Sequence, residues 1–211
     1  MAVTIAVTRE RRDGETRTAL TPDTVRKLTG LGAAVVVETG SGLGSSIPDA
    51  AYTEAGATVA RDLKTALAGA DVLLKVRGPT ASEISALRPG TVVVALLDAW
   101  REKETVTALA GAGVTAFAME FVPRITRAQV MDALSSQANL AGYRAVIEAA
   151  AAYGRGFPMM MTAAGTVAAA KVFVMGAGVA GLQAIATARR LGAVVTATDV
   201  RPAAKEQVES L

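Results

Sequence analysis

The segment Gly176-Ala177-Gly178-Val179-Ala180-Gly181 constrains this chain more than any other, because of what stands on either side of it. A bare G-x-G-x-x-G spacing marks only a glycine-rich turn. Here the apolar run Lys171-Val172-Phe173-Val174-Met175 leads straight into it, at the length of a buried strand. Residues 179–191 then have helical spacing and stop at Gly192, and residues 193–198 read as a second strand closed by Asp199. In a strand–turn–helix–strand unit the first glycine makes the turn and the second lets backbone approach a pyrophosphate. The third lets helix and strand pack closely. The helix start, with Val179 and Ala180 in its first turn, adds free N–H groups and the positive end of the helix dipole. Asp199 follows at about 20 residues, where a carboxylate accepts hydrogen bonds from ribose hydroxyls and repels a 2′-phosphate. These features predict a dinucleotide site that favours NAD(H) over NADP(H). Val200 and Arg201 follow the carboxylate, and an arginine there can accommodate a 2′-phosphate.

The rest of the chain repeats the alternation. Residues 3–7, 34–37, 71–76, 92–97 and 115–119 are β-branched or apolar throughout and read as buried strands. Helices fit 48–55, 61–68, 81–87 and 102–110. Another begins at the cap-and-proline signal Thr21-Pro22-Asp23 and stops at Gly30 or Gly32. Strands and helices alternating at this spacing imply a parallel sheet covered on both faces. From Thr126 to about Tyr153 the pattern becomes one long helix with a single internal glycine, Gly142, and no proline. It is broken by Gly154-Arg155-Gly156-Phe157-Pro158. The apolar connector 159–165 follows, with Met159, Met160 and Met161 expected to pack in a core or hinge. The expected organisation is α/β: an N-terminal domain at 1–125, a long linker helix and hinge at 126–165, and the opening portion of a nucleotide-binding domain at 166–211. A dinucleotide fold needs two βαβαβ halves, so the second domain is expected to be truncated.

Composition narrows the chemistry. The 211 residues suffice for a real core. A net charge of only +3, spread along the chain, argues against a nucleic-acid surface. With neither Cys nor His there is no disulfide, no thiolate metal site and no imidazole base. The N-terminus lacks a basic leader, and the longest uncharged run, 172–188, carries three glycines and falls short of a membrane span. A soluble cytoplasmic polypeptide with no metal is the expectation.

Five stretches, read together, resemble a known family. They are Arg9-Glu10-Arg11 with Gly14-Glu15-Thr16-Arg17, the run 123–144 from Pro123 to Arg144, Met161-Thr162-Ala163-Ala164-Gly165, residues 176–183, and Thr198-Asp199-Val200-Arg201-Pro202 running into Lys205-Glu206-Gln207-Val208. The chain is similar over essentially its whole length to the NAD(H)-binding peripheral domain of proton-translocating NAD(P) transhydrogenases, and more distantly to alanine dehydrogenases. The resemblance implies hydride transfer from NADH to NADP⁺ held on a partner component. It also implies a membrane component that couples the transfer to proton movement, a homodimer, and a place at the inner membrane held through those partners. It assigns Arg124, Gln129, Asp132 and Ser135 to orienting the nicotinamide ring. From the residues alone, a capping ion pair at a helix N-terminus accounts for the same cluster.

Arg17 and Lys75 match positions at which alanine dehydrogenases bind the substrate carboxylate and carbonyl. The alternative, preferred here, is a salt bridge or a snorkelling lysine. Where the dehydrogenases carry an acid/base histidine, this chain has Ala95-Leu96-Leu97-Asp98. Oxidising an amine or alcohol calls for a positioned base. Transfer between two nicotinamides moves no proton at the reacting carbons and needs only alignment and exclusion of water. Absence of histidine therefore weighs toward transhydrogenation, although Lys75, Asp98 or Tyr143 could serve as a base. An alanine-type dehydrogenase and a non-catalytic NAD-binding module stay open as alternatives.

Overall fold

The computed structural model describes residues 2–210. The chain forms two compact units, Met1–Met131 and Asp132–Leu211.

In the first unit, strands and helices alternate as β1 (Thr4–Val7), α1 (Pro22–Gly30), β2 (Ala34–Glu38), α2 (Asp49–Glu54), β3 (Thr58–Ala60), α3 (Leu63–Leu67), β4 (Val72–Arg77), α4 (Ala81–Ala86), β5 (Val92–Leu96), α5 (Lys103–Gly111) and β6 (Thr115–Ala118). The helix starts follow local chemistry. The Thr21 hydroxyl accepts from the Thr24 amide with Pro22 in the first turn, Asp62 caps α3, and Thr80 and Glu83 form a reciprocal capping box on α4; such caps contribute about 1 kcal/mol each. The six strands pair in the order β3-β2-β1-β4-β5-β6, parallel throughout. Alternation puts Ala6, Leu73, Val93 and Ala95 into one buried layer, with Leu67, Ile84 and Leu109 from the covering helices. Val7, Val35 and Val37 face the other layer, with Val25 and Tyr52. Both faces are covered, as the continuous apolar strands require. Strand β3 was not expected from the sequence: three residues directly after the Gly56 turn carry no usable period.

The first unit ends in a 3₁₀ turn, Thr126–Met131. That corrects the expected start of the long helix. The helix, α6 (Ala133–Tyr153), begins only after Asp132, whose side chain accepts from the Ser135 amide and caps it. It stops at Gly154, which takes the left-handed conformation at φ 68° that a side chain disfavours. The three methionines are also not where they were expected. They lie at a short antiparallel hairpin, β7 (Met160–Thr162) and β8 (Gly165–Val167), whose residues are all exposed. Met161 is 83% exposed. No core forms around them because a two-stranded ribbon has no second layer of its own.

The remainder of the second unit is β9 (Lys171–Met175), α7 (Val179–Arg190), β10 (Val194–Thr198) and α8 (Ala204–Glu209), with β9 and β10 parallel and in register from Lys171↔Val194 to Met175↔Thr198. One face of this pair packs Val172 and Val195 against Val146 of α6 and Ala188 of α7. The opposite face leaves Phe173, Met175 and Val194 exposed. Among the described residues no helix is long and apolar enough to cross a membrane.

Candidate functional site

The glycine turn has the backbone that its sequence demanded. Gly176 sits at φ 97°, a region that residues with a Cβ rarely enter, and its amide donates to the Thr198 carbonyl at 2.7 Å. Gly178 is the extended N-cap of α7 and supplies no side-chain cap, so the first N–H groups of the helix point forward without an intrahelical partner. A Cβ placed on Gly178 would meet nothing within 4 Å, whereas one on Gly181 would lie 1.8 Å from the Gly176 carbonyl oxygen. The two glycines therefore do different things: Gly178 keeps the space before the helix open, and Gly181 lets the helix lie directly on the turn. Open space facing free amides at the positive end of a twelve-residue helix suits a pyrophosphate. Val179 and Ala180 supply the first turn, and the Val179 side chain is exposed there.

Asp199 closes the turn from the other side. Its Oδ2 accepts from the Ala177 amide at 2.7 Å, and its Oδ1 from the Arg201 amide at 2.8 Å. The Arg201 guanidinium adds bonds of 3.0 and 3.1 Å to the two oxygens. The Arg201 side chain, its backbone amide and the Ala177 amide hold the Asp199 carboxyl far below the usual range, and Asp199 raises Arg201 in turn. Asp199 thus joins β10 to the glycine turn through its two carboxylate oxygens. Val200, next to it, is 98% exposed. The buried Ala177 was not among the residues expected from sequence. It acts through its backbone, and only its place directly after the first glycine could have flagged it.

The expected ring-orienting residues fall in both units. In the first, Arg124 and Gln129 are exposed, Gln129 within the 3₁₀ turn. In the second, Asp132 and Ser135 are partly buried and joined: Oδ1 of Asp132 accepts from the Ser135 amide at 2.9 Å and Oδ2 from its hydroxyl at 2.6 Å. The cap fixes the Asp132 carboxylate and the Ser135 hydroxyl relative to the helix axis.

A second polar cluster lies in the first unit at the carboxyl ends of β1 and β4, where the strand order reverses direction and open α/β sheets usually bind ligands. Here the crevice is occupied by the chain's own charges. Lys75 is buried and donates to Glu83 at 2.9 Å, to the Arg9 carbonyl at 2.9 Å and to the Thr8 hydroxyl at 3.2 Å. Arg11 bridges Glu83 at 3.1 Å and Glu38 at 2.7 Å. Burial works to raise the Glu83 carboxyl, but the Lys75 charge and bonds from Thr8 and Thr80 outweigh it and hold Glu83 below the usual range. Arg17 is bonded to Glu15 at 2.6 and 2.7 Å. Asp98, just past the end of β5, sits at φ 50°, with the amides on either side of it donating to Glu120 at 3.0 Å. A polar cavity of about 230 Å³ remains beside Lys75, Arg77 and Glu102.

Six parallel strands in one unit, and a strand–glycine turn–helix–strand in the other, define an α/β protein of the Rossmann-like class. The family described as alanine dehydrogenase/PNT, N-terminal domain, matches residues 6–141, and its C-terminal counterpart matches 145–211. The chain belongs to the alanine dehydrogenase/PNT family. It is 57% identical over 98% of its length to an NAD(P) transhydrogenase subunit alpha polypeptide of Rhodospirillum rubrum, covering 55% of that protein. It is 34% identical to an alanine dehydrogenase of Mycobacterium tuberculosis, covering 93% of this chain and 53% of the relative. Among solved structures, a transhydrogenase from Sinorhizobium meliloti superposes with a TM-score of 0.95 at 63% identity, over 98% of this chain and 62% of that one. An L-alanine dehydrogenase gives 0.86 at 28% identity, over 99% and 58%. The chain spans about half the length of the curated relatives it matches.

Proposed function

We propose that this chain is the NAD(H)-binding component of a proton-translocating transhydrogenase, passing hydride from NADH to NADP⁺ held on a partner component. The observation that carries the reading is the glycine turn with Asp199 behind it: open space at Gly178, helix amides without an intrahelical partner, and a fixed carboxylate at the end of β10. These fit the pyrophosphate and the adenosine ribose of a dinucleotide. NADH, when bound, would supply the hydride. Gly176, Gly178, Val179, Ala180 and Gly181 hold the pyrophosphate, and Asp199 with the Val200 and Arg201 backbone takes the ribose. Arg124, Gln129, Asp132 and Ser135 orient the nicotinamide, each in the role the resemblance gave it. Partner components, one carrying NADP(H) and one in the inner membrane, and a homodimeric state belong to the same proposal. The Rhodospirillum rubrum relative is named as one portion of a divided alpha subunit, which is in keeping with further components.

The likeness to alanine dehydrogenases supports a second reading, an amino-acid dehydrogenase. Two features weigh against it. Lys75 is already held by three acceptors inside the protein, and the chain has no histidine to serve as acid and base. One assay separates the readings. The chain is mixed with a bacterial NADP(H)-binding transhydrogenase component, and reduction of an NADP⁺ analogue by NADH is followed beside NADH oxidation with pyruvate and ammonia. Turnover in the first arm alone is expected. Turnover in the second alone, or NADH binding with turnover in neither, contradicts the proposal.

A further inference from the structure

Gly142 is a single glycine inside a 21-residue helix, where it costs about 1 kcal/mol relative to alanine. It is buried against α7. A Cβ built on it would lie 2.1 Å from the carbonyl oxygen of Ala180, 2.9 Å from its carbonyl carbon and 3.0 Å from its Cα. All three are backbone atoms in the first turn of α7, so no side chain can swing aside to make room. The next residue, Gly181, is equally constrained on its other side by the Gly176 carbonyl. Three backbone segments (α6 at 142, α7 at 180–181 and the turn at 176) thus stack with no side chain between them.

We infer that Gly142 is a positioning residue for the dinucleotide site: it seats the first turn of α7 and fixes the register between the glycine turn and the N-terminal end of α6. The inference rests on the NAD(H) reading above. A methyl group at 142 has to displace Ala180, and Gly181 cannot yield because it is already on the turn. The displacement therefore reaches the amides that face the pyrophosphate. Residue 142 also lies seven positions along α6 from Ser135, about 10 Å at 1.5 Å per residue. One close contact accordingly sets the spacing between the Asp132–Ser135 pair and the glycine turn, which serve opposite ends of one ligand. Helix propensity alone gives the opposite sign, since Gly→Ala in a helix interior ordinarily stabilises.

The test titrates the 211-residue chain with NADH as wild type, Gly142→Ala and Ala188→Val. Ala188 is 0% exposed and lies near the other end of α7, away from the turn. Overpacking there lowers thermal stability without touching the glycine segment. Gly142→Ala is expected to weaken NADH at least tenfold, while Ala188→Val, at a comparable loss of melting temperature, stays within twofold of wild type. Unchanged affinity in Gly142→Ala, or losses in both variants that simply track stability, overturns the positioning role. Hydrogen exchange on the wild type covers the case in which Gly142→Ala does not fold. NADH is expected to add protection to α6 amides around 142 together with those of 176–182, and protection confined to 176–182 overturns the inference. A wild type with no affinity for NADH instead overturns the NAD(H) reading itself.

Discussion

The two units of this chain carry the same kind of scaffold and opposite kinds of crevice. The first has six parallel strands in the order 3-2-1-4-5-6, the order of a complete dinucleotide-binding sheet. Its β1 nonetheless leads into a long charged segment that reaches α1 only at Pro22, and the crevice is filled by Lys75, Glu83, Arg11 and Glu38. The second has only two paired parallel strands among the described residues, yet its β9 leads straight into a glycine turn that leaves open space before a helix N-terminus. Strand order therefore does not make a nucleotide site. In the second unit the residues directly after β9 leave helix amides facing open space, whereas in the first the crevice is closed by side chains from β2, β4, α4 and the segment after β1.

The comparison breaks most visibly at Lys75. Lys75→Met leaves the fully buried Glu83 carboxylate without its nearest cation, a change that costs about 3–5 kcal/mol. Urea denaturation is expected to show that loss, with NADH affinity unchanged under conditions where the variant is folded. A variant that keeps its stability and loses NADH would show that the first unit's crevice binds the nucleotide. Gly181→Ala tests the other side. Its Cβ would fall 1.8 Å from the Gly176 oxygen, and overpacking of this kind costs about 1–3 kcal/mol, read as a ten- to hundredfold rise in the NADH dissociation constant by fluorescence titration.

Asp199→Asn is expected to weaken NADH about tenfold, the scale of one charged hydrogen bond, and to narrow its preference over NADPH. Parallel titrations with the two nucleotides measure both effects. The smallest effect is the acid limb of stability. Because Glu83 is held below its ordinary value, its contribution is fully present above the usual carboxylate range of about 4 and is lost as the pH falls through the lowered value. Melting curves between about pH 3 and 7 are expected to show the decline, and Glu83→Gln to flatten it.

Much of this was legible in the sequence. Apolar runs bounded by glycine and proline located five of the six strands of the first unit, and the glycine spacing located the turn and Asp199 correctly in their strand–helix context. The failures share a cause: short elements carry too few residues to show a period. Strand β3 has three residues, and the hairpin that exposes Met160 and Met161 has strands of three. The 3₁₀ turn at 126–131 looked helical because it is helical in composition, and only the Asp132 cap separates it from α6. The salt bridge expected at Lys75 is present, but its partners escaped for another reason. Lys75 and Glu83 are eight residues apart in sequence, but Arg11 and Thr8 reach Glu83 from more than 70 residues away, which no local pattern encodes.

The most direct measurement is a map of amide chemical shifts across the chain as NADH is added. Shifts concentrated at 124–135, 176–182 and 199–201, with residues 8–12 and 75–80 unmoved, are the expected result. Shifts concentrated in the first unit's crevice, with the glycine turn unmoved, would contradict the assignment of the nucleotide to the second unit.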